Sequence, residues 1–289
     1  MIRKISMMNQ RNNLIDFSDR EKFFLYDVSG LGIDLDNKFD DFGVTNILRK
    51  QTAKAASLKA KLLVGQNSPI AYEVFVEMFE FLNSPPFKMI YETDAGLYYR
   101  DCVLSKLTKG DMEKGRVFIE DIAFDFTGFY YQWKNQSYSP VENIDGNGKI
   151  YGWSVYPYNY ESDINGVGGV FQIDNNSLLF GLEGSSPVEV TIKGPCENPS
   201  WEITNGSKIL QSDAYNLAID DGYKLVVSSF PGEQACKLIA PDGTSSNVYQ
   251  QQDTSKTNFV SIPIGQSFFV FHNFGKNVEF KFKEYRGVT

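Results

Sequence analysis

Between residues 68 and 126 an amphipathic helix runs into a double proline and then into three alternating strands, and that order constrains the fold more than any other stretch of the chain. Ala71, Val74, Phe75, Met78 and Leu82 recur at helical spacing, Ser68 suits the cap, and Pro69 suits the first helical position. Glu73, Glu77 and Glu80 take the more polar side. Asn83, Ser84, Pro85 and Pro86 stop the helix, because proline has no amide donor and disfavours helical geometry in the residue before it. Residues 88–91 and 97–104 then alternate around a turn at Asp94, Ala95 and Gly96, which predicts a hairpin. A second turn at residues 108–111 leads to a long strand over 117–126, with Phe118, Ile122, Phe124 and Phe126 on one face and Asp121 and Asp125 on the other.

The rest of the chain points to antiparallel sheet. Aromatic residues make up 15% of the 289 positions, and the 24 glycines cut the sequence into many short segments. A chain of this length with 42% hydrophobic content can bury more than one core, so two domains are expected. There is no apolar run of about 18 residues to span a bilayer, so no membrane is expected as a partner. The start, Met1 to Ile5, is basic but lacks the continuous apolar stretch and small-residue cleavage site of an export signal. Cys102, Cys196 and Cys236 make neither a disulfide framework nor a metal-ligand spacing, and are read as reduced thiols. Without a secretion signal, the three Asn-x-Ser matches, at Asn135, Asn175 and Asn205, are read as turns.

Charge is uneven. Residues 1–134 are close to neutral, with 18 basic and 19 acidic side chains, while residues 135–289 carry 10 and 17, so most of the net −8 lies in the second half. That sign does not suit a general nucleic-acid surface. Within the first half, Asp34, Asp36, Asp40 and Asp41 form an acidic block, and Arg49, Lys50, Lys54, Lys59 and Lys61 lie in a stretch over 44–72 that holds no acid. From 57 to 64 the pattern alternates as a strand with its lysines on one face. Two opposite patches on one domain permit head-to-tail docking into a ring or filament. The same charges also suit plain solvation of a strand's outer face, or the lining of a channel.

A domain boundary is expected where Asn135, Gln136, Ser137 and Pro140 lead into Asp145, Gly146 and Gly148, giving a first domain over 1–134, a linker over 135–149 and a second domain over 150–289. The second domain opens with an aromatic cluster from Tyr151 to Tyr160 that includes Trp153. Short strands follow, predicted at 178–182, 188–192, 199–203, 216–219, 224–228, 235–239, 259–262, 266–271 and 278–285 at sandwich-like spacing.

In this order of elements the chain resembles the distal tail protein (Dit) family of long-tailed phages that infect Gram-positive bacteria. The resemblance is carried by FEFLNSPPFKMIYETDAGLYYRDCVL, by SKLTKGDMEKGRVFIEDIAFDF and by KIYGWSVYPYNYESD, with NPSWEITNGSKI, DDGYKLVVSSFPGEQACKLIAPDGTSSNVY and NFVSIPIGQSFFVF towards the end. It implies a mainly β protein, with a β-sandwich-like ring domain that holds one α-helix and a β-hairpin, followed by a galectin-like β-sandwich. It implies a homohexameric ring, single or as two stacked rings, that continues the tail tube while the second domain projects outward as an attachment point. The implied partners are the tail tube protein, a tail-associated baseplate protein and receptor-binding or peripheral baseplate subunits. The implied location is the virion tail tip, after assembly in the host cytoplasm. No cofactor and no catalytic residue come with the resemblance.

The residues read alone agree. His272 is the one histidine in the chain, at the end of a predicted strand, so a histidine metal cluster is excluded. The acidic block lacks the central glycine and closing glutamate of a calcium loop, since Phe39 and Thr45 stand there. The glycines around 146–152 and 166–169 lie between no strand and helix and are not phosphate cradles. Two alternatives stay open: a carbohydrate-binding module of the tail tip, with Trp201 or Trp153 as the sugar contact, and a cell-wall glycoside hydrolase built on two carboxylates.

Overall fold

In the computed structural model, which describes residues 3–54, 56–65, 69–113, 117–139, 169–178, 184–273 and 277–287, the helix spans Ala71–Leu82 and buries Ala71, Val74, Phe75, Met78, Phe81 and Leu82. The apolar face read from its spacing is therefore the packed face. The helix starts later than its proline suggested. Ile70 stands at the N-cap with no side-chain hydrogen bond, and Ser68 lies outside the described residues. Tertiary packing sets the start: Ala71 sits so close to Gly65 that a Cβ on that glycine would lie 2.9 Å from the Ala71 methyl.

The chain divides into two units. The first is Met1–Gln132 with Leu178–Leu182 and Tyr285–Thr289, and the second is Trp133–Ser177 with Glu183–Glu284. In the first, antiparallel neighbours run in the order Ser18–Asp19, Phe23–Ser29, Ser57–Val64, Phe118–Phe126, Gly96–Leu107, Phe87–Thr93, Arg3–Met8 and Leu14–Asp16. The predicted hairpin is present, turning between Thr93 and Gly96, and Phe118, Ile122, Phe124 and Phe126 all point into the core. The helix closes that core. Phe75 meets Phe118 with ring centroids 5.2 Å apart, and Phe81 stacks on Phe87 at 5.6 Å. Each phenyl buried in this way contributes about 1.5–3 kcal/mol.

The second unit is a β-sandwich. One sheet orders Gly169–Asn175, Gly265–Asn273, Ser200–Thr204 and Ile209–Ala214. The other orders Ser245–Asn247, Ala235–Ile239, Lys224–Ser228, Ser185–Lys193 and Asn277–Arg286. Period-two alternation turns Trp201, Ile203, Phe269 and Phe271 from the first sheet towards Val190, Ile192, Leu225, Phe280 and Phe282 from the second. Phe269 and Phe280 touch across that core at 4.5 Å.

Two expectations need correction here. Asn135, Gln136 and Ser137, read as the start of a linker, belong to the strand Tyr130–Tyr138. Their polarity fits a strand because their side chains are largely solvated, while Ser137 donates to Asn277 at 3.1 Å and the Tyr138 hydroxyl donates to the Gln172 carbonyl at 2.8 Å. Residues 140–149, the Tyr151 to Tyr160 cluster and most of the strand expected at 178–182 lie outside the described residues. The segment expected as a strand over 216–219 contributes only Ala218–Ile219.

Candidate interaction surfaces

The acidic block and part of the basic block fall on one hairpin. Leu35–Asp41 and Asn46–Ala53 pair with each other and with no other strand among the described residues. Asp34 and Lys54 close its base, where the Lys54 amide donates to the Asp34 carbonyl at 2.8 Å. At the tip, Gly43 takes a φ of +82°, and its amide donates to the Asp41 carboxylate at 2.7 Å. The two charged blocks expected as separate patches are thus adjacent strands of one ribbon: Asp36 and Asp40 lie on one strand, Arg49 and Lys50 on the other, and Arg49 reaches Asp40 at 3.7 Å with both side chains exposed. Such a pair is worth little by itself.

The hairpin's apolar side chains say more about its use. Phe39, Phe42, Val44, Ile47 and Leu48 are all exposed, Phe42 at 64% and Val44 fully. A two-stranded ribbon is marginal in water without a face to pack on, and a cluster of large apolar groups in solvent marks an interaction surface.

Lys59 and Lys61 sit elsewhere, on Ser57–Val64, where they alternate with buried Leu58, Ala60 and Leu62 as expected. Lys61 lies 2.6 Å from Asp121, which also meets Lys106 at 3.3 Å. The hydrogen bond to Asp121 raises the Lys61 pKa, and the two lysines hold Asp121 below the usual carboxylate range.

A further surface escaped the sequence reading. On the solvent side of the helix, Tyr72, Val76 and Phe79 are about half exposed and follow one another at helical spacing among the glutamates. Beside them a groove of about 380 Å³ opens between the helix and residues 104–109, lined by Phe75, Phe79, Leu82, Leu104, Lys106 and Lys109. Its rim is held from beneath. The buried Glu120 carboxylate accepts the Thr108 hydroxyl at 2.7 Å and the Gly110 amide at 2.6 Å. Lys109 leans over the Phe75 ring at 5.5 Å. The signal was Val76 and Phe79, apolar residues on the side read as polar.

The sugar contact proposed for Trp201 is corrected. Its side chain is fully buried, stacked between Tyr215 and Phe271 at 5.8 and 5.6 Å, because the alternation that turns Ile203 inward turns Trp201 inward too. Trp153 lies outside the described residues. His272 projects from its strand beside Glu202 at 3.6 Å, and no cluster of three metal-ligating side chains occurs among the described residues. In the second unit Asp213 is buried. It accepts hydrogen bonds from Gln252 at 3.3 Å and from the Phe259 amide at 3.2 Å, and burial pushes its pKa up to about 6.

Comparison with known proteins places the first domain. Residues 4–127 match the family described as distal tail protein, N-terminal domain. Over that segment the chain is similar to distal tail proteins. A distal tail protein of Lactococcus phage SK1 is 26% identical over 137 residues, a match that covers 45% of this chain and 46% of that relative. The chain therefore matches less than half the length of that curated relative. Among solved structures, a chain of the phage P2 baseplate in its activated, calcium-containing conformation superposes with a TM-score of 0.73 at 17% identity over the full length of both chains. The crystal structure of SPP1 Dit superposes with a TM-score of 0.62 at 8% identity, covering 97% of this chain and 98% of that one. At these identities the likeness is one of fold: a mainly β architecture shared along the whole chain.

Proposed function

We propose that this distal tail chain is a structural hub of a phage tail tip, which assembles as a hexameric ring continuing the tail tube. One observation carries the reading: a domain similar to distal tail proteins bears a charged, apolar-tipped hairpin with no partner strand among the described residues. A hairpin of that composition calls for a neighbour, and a neighbour met through a different surface gives a ring where the rotation between copies closes. In this proposal residues 1–134 form the ring and residues 150–289, with a galectin-like sandwich, serve as an attachment point for a tail-associated baseplate protein and for receptor-binding or other peripheral subunits. The tail tube protein stacks on the ring, and the work is done by contacts, with no reaction catalysed. Assembly takes place in the host cytoplasm and the finished hub sits at the virion tail tip.

Negative-stain microscopy of the full chain tests this. Six-fold particles with a central opening are expected; compact particles without an opening would refute it.

A further inference from the structure

The hairpin tip and the groove beside the helix are complementary in three respects, and within one copy both stand open. The first is apolar character. The tip presents Phe39, Phe42 and Val44 to solvent, and the groove presents Phe79, Leu82 and Leu104. The second is size. A cavity of about 150 Å³ accepts one benzene ring, so a groove of about 380 Å³ has room for two phenyl side chains. The third is charge. Asp40 and Asp41 flank the tip, while Lys106 and Lys109 flank the groove, and Lys109 makes no ion pair with a carboxylate among the described residues. The basic strand of the hairpin, with Arg49 and Lys50, would meet Glu77 and Glu80 on the exposed side of the helix.

We infer that the groove between the helix Ala71–Leu82 and residues 104–109 is the seat for the hairpin tip of a second copy of this chain, with Phe39 and Phe42 inserted beside Phe79. The inference rests on the ring reading and adds to it which surface of the neighbour the hairpin meets. Donor and acceptor are different patches of one domain, so each copy gives one tip and receives one, as a closed ring requires. A self-complementary patch would instead stop at a two-fold dimer. Glu120 belongs to the same device, because its two hydrogen bonds fix the turn at residues 108–110 that forms one wall of the seat.

Cross-linking of the full chain tests the pairing. In a Cys196→Ser background, which removes the half-buried native thiol and leaves buried Cys102 and Cys236, Phe42→Cys and Phe79→Cys are made singly and together. Under mild oxidation a mixture of the two single variants gives a covalent dimer, and the double variant gives a ladder that ends at the ring. Each single variant alone stays uncross-linked. Separately, Phe42→Asp or Phe79→Asp weakens association by about 30-fold or more, as loss of a central aromatic anchor does. Their far-ultraviolet circular dichroism stays unchanged, because both side chains are exposed within one copy. If the unmodified chain forms rings but the mixture gives no cross-link and both aspartate variants assemble normally, the seat is wrong and the ring reading stands. If the unmodified chain does not associate at all, both fall.

Discussion

Replacing Asp213 by asparagine should flatten the pH dependence of stability in the second domain. The Asp213 carboxyl is buried beside Trp201, Tyr215 and Gln252, and burial lifts its pKa from 3.8 to about 6 against the hydrogen bonds from Gln252 and the Phe259 amide. Because the folded state holds this proton more tightly than the unfolded chain, the folded state binds more protons between pH 4 and 6. The favourable contribution is complete below pH 4 and is lost as pH rises through about 6. Its size is about 3 kcal/mol, from roughly 1.4 kcal/mol for each pH unit between the two values. Neighbouring groups do not titrate in that window: burial pushes the pKa of Tyr215 and of Cys236 upward, so both stay neutral. Denaturant unfolding of the full chain at pH 4, 5, 6, 7 and 8, followed by the fluorescence of Trp201 stacked on Tyr215, gives the profile for each protein. The asparagine variant, relative to the parent, should gain up to about 3 kcal/mol between pH 4 and pH 7. A difference that stays flat over that range, or that falls as pH rises, would refute the assignment.

Other expectations are simpler. Glu120→Ala should lower the stability of the first domain by about 1–3 kcal/mol in urea titrations, because the Thr108 hydroxyl and Gly110 amide lose their acceptor, and Glu120→Gln should recover part of the loss. Phe124→Ala should cost about 3–5 kcal/mol, since the ring is fully buried edge-on against Phe87 and its removal leaves a cavity. Charge reversal at Lys59 and Lys61 should weaken ring assembly more at low salt than at high salt, measured by sedimentation, because both side chains are exposed and screening acts over about 8–10 Å. Asp121 would keep Lys106 in the Lys61 variant, so the larger effect is expected from Lys59.

What could be read from the sequence follows from where burial is one-sided. The helix showed itself through Val74, Phe75 and Met78, and the strand Phe118–Phe126 through its alternating phenylalanines, because each packs one face on a core and leaves the other in water. The hairpin over 35–53 gave no such signal, since both of its faces are exposed and Phe39, Ile47 and Leu48 follow no core. Gly43, two residues after Asp41 and with positive φ, marks its turn. Reading charge without that turn split one ribbon into two patches. Trp201, kept open as a sugar contact, lies two residues from Ile203 and so shares its inward face. The groove depends on residues 75–82 meeting residues 104–109, a contact set by how the helix lies on the sheet and not by local pattern.

The central claim is that copies of this chain join to one another, and the mass of the full chain in solution tests it most directly. Multi-angle light scattering should give six or twelve times the 32.7 kDa chain mass. A single 32.7 kDa species that persists at high protein concentration would contradict it.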